Sequence, residues 1–241
     1  MKITVLGNCG PYPRAGGACS GYLFEYEDIK ILLDCGNGTL SRLFQIVKDI
    51  NDLDMILLSH LHSDHLSDIM VLRYAIALSK DVSSIPLYAP ASPQEIFNQI
   101  QYENAFLMRP IEENRQFSYK GLTIRFEKMD HAVDSYGICI QNGNKKFVYS
   151  GDTKYCDALI ELAKDADLLL CESAVLERDK TPSTPHLSAK EAAEIGKICN
   201  VKQLLLTHFL PKYDRQEIFS EAKEAFDENL ILCEEMKTYS V

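Results

Sequence analysis

Residues 55–68, Met-Ile-Leu-Leu-Ser-His-Leu-His-Ser-Asp-His-Leu-Ser-Asp, constrain this chain more than any other stretch. The apolar run Met55 to Leu58 reads as a buried strand. It leads directly into His60, His62, Asp64 and His65. In extended backbone, residues two apart face the same side, so His60 and His62 can bind one cation together. Leu66, Ile69, Met70 and Tyr74 then recur at helical spacing, which puts Asp64 and His65 near a helix start, where the helix dipole favours a carboxylate. Three imidazoles and a carboxylate within six residues, at a strand-to-helix junction, suit zinc or a similar borderline metal. Ser59 to Asp68 has no low-complexity character, so the histidines are not part of a His-rich tract.

The remaining chemistry is sparse and dispersed. The chain has only six histidines, and the other three are His131, His186 and His208. His131, Asp152 and His208 share a placement, each at or just beyond the C-terminal end of a predicted strand, where α/β folds gather their chemistry. Asp34, at the end of another strand, is expected to orient a metal-bound histidine. The eight cysteines are scattered without a Cys-x-x-Cys pair, and several lie in apolar runs, so buried reduced thiols are expected. A net charge of −10 without a run of Lys or Arg argues against a broad nucleic-acid or anionic-membrane surface. It leaves a small phosphorylated substrate open, because bound dications dominate the local field. The N-terminus reads as a strand, and no apolar stretch is long enough to span a membrane, so a cytoplasmic protein is expected.

In chain order, strands are expected at Ile3 to Leu6, Tyr22 to Tyr26 and Lys30 to Asp34, the last two as a hairpin. A turn-rich loop, Gly7 to Ser20, separates the first two and reads as a binding loop. Thr39 to Val47 carries a helical stripe. After the metal loop and its helix come a strand at Ile85 to Tyr88 and a helix opened by the capping box Ser92-Pro93-Gln94-Glu95. Residues 103 to 115 give no clear pattern. Phe117 to Tyr119 and Leu122 to Met129 flank Lys120-Gly121, and Tyr136 to Gln141 and Lys146 to Tyr149 flank Asn142-Gly143-Asn144, a hairpin signal. A helix from about Asp157, a strand at Leu168 to Cys171 and a loop from Glu172 to Leu187 follow. A second capping box, Ser188 to Glu191, opens a helix to about Ile198. The chain closes with a strand at Gln203 to Thr207, a helix from Arg215 to Phe226 and a final strand near Leu230 to Leu232. Two strand-rich parts, each followed by strand–helix alternation, fit two sheets packed face to face with helices outside. The expectation is a single α/β domain over residues 1–241, a four-layer αββα sandwich.

The set His-x-His-x-Asp-His, then His131, Ser-Gly-Asp152-Thr and Leu-Thr-His208, resembles the metallo-β-lactamase fold superfamily along essentially the whole chain. The resemblance implies one metal held by His60, His62 and His131 and a second held by Asp64, His65 and His208, with Asp152 bridging them. It implies two zinc ions per chain, with manganese or iron as alternatives. The stretches His186-Leu-Ser-Ala-Lys-Glu-Ala-Ala-Glu-Ile and Leu-Leu-Leu-Thr-His-Phe-Leu-Pro-Lys-Tyr213 are similar to the ribonuclease Z-like phosphodiesterase branch. That likeness places His186 over the substrate as a proton donor. In tRNA-processing members, an arm that grips tRNA is usually inserted between the third histidine motif and the bridging aspartate. Here twenty residues separate His131 from Asp152, which argues against tRNA. Related enzymes are often homodimers, so a second copy of the chain is a candidate partner.

These readings converge on a dinuclear phosphodiesterase for a small or cyclic phosphoester. A metal-bridging hydroxide would attack phosphorus, with Asp64 accepting a hydrogen bond or proton from the water and His186 protonating the leaving group. Arg14 is a candidate phosphate contact. The alternatives are a thioester or lactone hydrolase at the same site, and a metal-binding scaffold that does not turn over.

Overall fold

Two seven-stranded mixed sheets carry the chain, and each belongs to its own unit: Met1–Ile111 with Glu234–Ser240, and Glu112–Cys233 with Val241. The structure is a computed structural model and describes residues 1–79, 82–112 and 115–241.

The first unit opens with β1 (Lys2–Gly7), β2 (Gly21–Tyr26) and β3 (Ile29–Cys35), an antiparallel meander. Tyr26 pairs with Ile29, so β2 and β3 are joined through Glu27-Asp28, with Glu27 at φ 52°. Helix α1 (Thr39–Ile46) buries Leu40 and Leu43. Strand β4 (Met55–Leu57) then enters parallel to β3, and all three of its residues are buried. The helical stripe beyond the histidines forms two pieces, a single turn α2 (Ser63–Leu66) and α3 (Ile69–Ala77). Strand β5 (Ile85–Pro90), helix α4 (Gln94–Ile100) and strand β6 (Phe106–Ile111) complete the parallel side. Leu43, Ile69, Leu72, Ile76 and Ile100 bury their side chains among Leu23, Leu32, Ile56 and Leu87 of the sheet. Each such aliphatic side chain contributes about 1.5–3 kcal/mol by leaving water.

The second unit repeats this plan. Strands β7 (Gln116–Tyr119), β8 (Leu122–Met129), β9 (Ser135–Asn142) and β10 (Lys145–Tyr149) form an antiparallel meander. Helix α5 (Asp157–Ala163), strand β11 (Leu168–Glu172), helix α6 (Ala189–Ile198), strand β12 (Leu204–Thr207), helix α7 (Arg215–Lys223) and strand β13 (Leu230–Leu232) follow. Strands β10 to β13 are parallel. Strands β11 and β12 are buried at every residue, as parallel strands covered on both faces must be. The last strand, β14 (Thr238–Ser240), returns to the first unit and pairs with β1.

Four sequence expectations need correction. Strand β6 lies in the stretch that gave no pattern; it is an edge strand carrying Pro110, and an edge needs neither a full ladder nor a continuous apolar face. The chain does not end with β13, because the three-residue edge strand β14 is held by pairing with β1 and is too short to show a period. The first capping box does not form. Pro93 is the cap of α4, no side chain caps the helix, and Ser92 lies one residue too far out. Helix α7 ends at Lys223, before Phe226. The second capping box forms in full, with both the Ser188 and Glu191 side-chain bonds present.

Candidate metal centre

In the first unit, four candidate ligands follow β4 within one short loop and the turn of α2. His60 and His65 are fully buried and Asp64 nearly so. His60 Nε2 and His62 Nδ1 stand 3.0 Å apart, and His65 Nε2 lies 3.5 Å from Asp64 Oδ2. Such separations suit nitrogen and oxygen donors that share a cation at about 2.0–2.2 Å each.

What fixes these rings is Asp34. It lies wholly buried at the end of β3, in the left-handed region at φ 53°. A non-glycine residue there costs of order 1–3 kcal/mol, so the surrounding bonds must enforce it. Asp34 Oδ1 accepts the Ser59 backbone N–H at 2.7 Å, and Oδ2 accepts the Ser59 hydroxyl at 2.7 Å. Oδ2 also lies 2.8 Å from His65 Nδ1, which donates to it. With its hydrogen committed to Asp34, Ser59 Oγ accepts from His60 Nδ1 at 3.0 Å. One carboxylate therefore sets both tautomers and leaves the Nε2 lone pairs of His60 and His65 for a cation. The sequence expectation that Asp34 orients a histidine is met, and it serves two.

Gly36 is part of the same construction. A Cβ at this position would lie 1.8 Å from the Asp64 carbonyl oxygen and 2.8 Å from Cys19 Cβ, so only glycine allows β3 to run so close beneath the ligand loop. Burial pushes the Cys19 thiol up to about 12, with Asp64 adding to the effect, and burial likewise pushes Cys35 to about 12. These thiols are neutral, and all eight cysteines are free.

In the second unit the candidates come from separate elements. His131 follows β8, Asp152 follows β10, His186 precedes α6 and His208 follows β12. His208 Nε2 lies 3.3 Å and His186 Nδ1 3.8 Å from Asp152 Oδ2. Asp152, His186 and His208 offer ligand atoms within 4.8 Å of one another. The His186 ring stacks on His208 with centroids 5.2 Å apart, and its centroid is also 5.2 Å from that of His131. His131 Nδ1 donates to the Pro185 carbonyl at 2.9 Å, which leaves Nε2 as its ligating nitrogen. Burial lowers the His131 pKa, and the nearby Asp152 charge opposes that shift. His208, like Asp34, sits in the left-handed region, at φ 56°.

Sequence reasoning missed Glu172, the last residue of β11. It is wholly buried, accepts the Thr153 N–H at 2.8 Å on Oε1, and has that oxygen 3.0 Å from His186 Nδ1. A carboxylate closing an otherwise apolar run, Leu168 to Cys171, was the available signal. Arg14, the candidate phosphate contact, donates to Glu235 Oε2 at 3.0 Å with its side chain half exposed.

The donor set fits a divalent cation: His60, His65 and His131 have their Nδ1 atoms engaged by protein oxygens, which leaves Nε2 to ligate, and buried carboxylates stand beside them. Comparison with known proteins agrees. A family model described as a β-lactamase superfamily domain matches residues 30–209. A probable metallo-hydrolase of Bacillus subtilis, YhfI, is 35% identical over 232 residues, which are 94% of either chain. The crystal structure of that metallo-β-lactamase fold protein superposes with a TM-score of 0.93 at 32% identity, over 99% of both chains. Human tRNase Z, short form, has the same fold at a TM-score of 0.81 and 22% identity, covering 100% of this chain and 99% of the other.

Proposed function

The chain belongs to the β-lactamase superfamily in its metallo-β-lactamase fold, and from that premise we propose that it is a dinuclear metal-dependent phosphodiesterase for a small or cyclic phosphoester. In this reading residues 1–241 act as one catalytic domain in the cytoplasm. His60, His62 and His131 would hold one zinc ion and Asp64, His65 and His208 the other, with Asp152 a ligand available to both. When bound, such cations acidify water and neutralise charge growing on the phosphoryl oxygens.

The chain's own groups supply the rest. Asp34 and Ser59 keep the Nε2 atoms of His60 and His65 deprotonated. Asp64 accepts a hydrogen bond or proton from the attacking water. His186 donates a proton from Nε2 to the departing oxygen, and Glu172, at Nδ1, orients the ring and stabilises its protonated form.

The single observation that carries the phosphodiesterase reading is this Glu172–His186 pair beside Asp152. An alkoxide leaving group needs a proton, whereas the thiolate of a thioester leaves without one. The two strands between His131 and Asp152 turn through only Gly143-Asn144, and this short hairpin supports a small substrate rather than tRNA.

The test is leaving-group dependence. His186→Ala should keep its metals yet slow alkyl phosphodiesters about 10²–10⁴-fold, with a far smaller loss on p-nitrophenyl esters. Equal losses on both would make His186 an electrostatic group. Thioester or lactone turnover without phosphodiester turnover would replace the proposal with its rival.

A further inference from the structure

A second carboxylate network lies in the first unit, with no proposed ligand among its members, and it grips the loop between β1 and β2. Glu235 comes from the C-terminal segment and its side chain is only 10% exposed. Its Oε1 accepts the Ala18 N–H at 2.7 Å and stands 2.9 Å from Arg42 Nη1; its Oε2 accepts from Arg14 at 3.0 Å. Arg42, on α1, also donates to the Leu6 carbonyl at 2.6 Å and the Gly16 carbonyl at 2.7 Å. The loop is thus held where it leaves β1, at Arg14 and Gly16, and again at Ala18 just before it rejoins the sheet. The C-terminal segment is itself anchored, since Val5 N–H donates to Lys237 O at 3.0 Å and Met236 N–H to Val5 O at 2.6 Å.

The grip extends to the ligand loop. Beyond Ala18, Cys19 N–H donates to Asn37 O at 2.9 Å, and Ser20 O accepts Gly36 N–H at 2.8 Å. Cys19 and the Asp64 carbonyl are the groups that a Cβ on Gly36 would strike, so the loop's end, β3's end and the Asp64 backbone form one tight contact.

A partly buried charge cluster is a poor way to gain stability alone, because desolvation offsets most of the attraction. Its strength is geometric: planar guanidinium forks fix angles as well as distances. The two guanidiniums and the Ala18 N–H hold the Glu235 carboxyl below the usual range despite the opposing effect of burial.

We propose that Glu235, with Arg42, is a positioning residue that sets the course of the Gly7–Ser20 loop and, through Cys19 and Gly36, the placement of Asp64. The proposal rests on the reading of Asp64 as a metal ligand. Glu235→Ala should speed amide hydrogen exchange in residues 8–20 while the rest of the sheet stays protected. It should also weaken zinc retention against a chromophoric chelator about threefold to tenfold, below the 10–100-fold expected of a group bonded directly to a ligand. On bis(p-nitrophenyl) phosphate, kcat should fall with little change in KM. Glu235→Gln, which can still accept the Ala18 N–H, should recover part of each effect. Lys237→Ala, in the same segment but with its side chain in an exposed pair with Glu234, should change nothing.

A lower melting temperature with unchanged zinc retention would reduce Glu235 to a structural role and overturn the proposal. Should Glu235→Ala not fold, Arg42→Lys keeps the charge but not the fork, and the same criteria decide. Zinc competition needs no substrate, so an inactive protein whose zinc affinity still drops on substitution would leave the clamp standing while the phosphodiesterase reading fell.

Discussion

The two units share a plan, a meander followed by parallel strands, yet they assemble their candidate ligands differently. The first places His60, His62, Asp64 and His65 in one loop after β4 and the turn of α2, and locks two of them with one carboxylate, Asp34. The second takes His131, Asp152, His186 and His208 from four separate junctions, and its buried carboxylate, Glu172, orients His186 alone among them. In the first unit, local sequence makes the site and one residue tunes it. In the second, the sheet makes the site, because only strand pairing brings those junctions together. The two carboxylates should therefore differ in what their loss destroys.

The sharpest break of that comparison is Asp34→Ala. It frees two histidine tautomers at once and strips partners from Ser59 and His65, each uncompensated buried group costing about 1–3 kcal/mol. Metal content should drop below that of the native protein, with affinity lowered about 10–100-fold or more. Native metal content after this substitution, by elemental analysis, would erase the distinction between the units.

Next is Glu172→Gln. It preserves shape and acceptance of the Thr153 N–H but removes the charge facing His186. Metal content should stay native while turnover of alkyl phosphodiesters falls about 10–100-fold, less than the loss from removing His186 itself. Loss of metal equal to that of Asp34→Ala would mean that both carboxylates serve ligands alike.

Two smaller effects probe the scaffolds. Ser188→Ala removes a cap that exists, while Ser92→Ala removes one that does not form. The first should cost about 1 kcal/mol and the second almost nothing, read as a difference in denaturation midpoint. Asp167 titrates with the fold. Burial alone would raise its pKa, but the Lys202 ammonium and the Lys146 N–H hold it below the ordinary value. Its unfolded form titrates near 3.9, so its contribution to stability is present above that pH and is lost as pH falls through the lower, folded pKa. Asp167→Asn should flatten the acid limb of the stability–pH curve and leave its neutral region nearly flat. An unchanged acid limb would exclude Asp167 as a contributor.

By itself the sequence determined most of the element order and the gathering of four candidate ligands just after one strand. A short apolar run ending in alternating histidines favours a strand that opens into a loop, and the Ser188 to Glu191 box forms where Glu177 and Lys180 also engage its two side chains. It did not determine β6 or β14, which are edge strands stabilised by a neighbour's ladder rather than by their own periodicity. Nor did it decide that Ser92 would stand one residue outside its helix, or that Arg14 would turn to Glu235, since both depend on where the chain is pinned elsewhere. Asp34 was legible as one histidine's partner because it closes a strand before the metal loop; that it governs two required Ser59 to be folded between them. Glu172 and His186 are separated by a loop of thirteen residues, and nothing local pairs them. Only the parallel placement of β11 and the seating of α6 bring that carboxylate within 3.0 Å of the imidazole. A buried charge persists where tertiary packing supplies its partners, and sequence shows the charge without showing the partners.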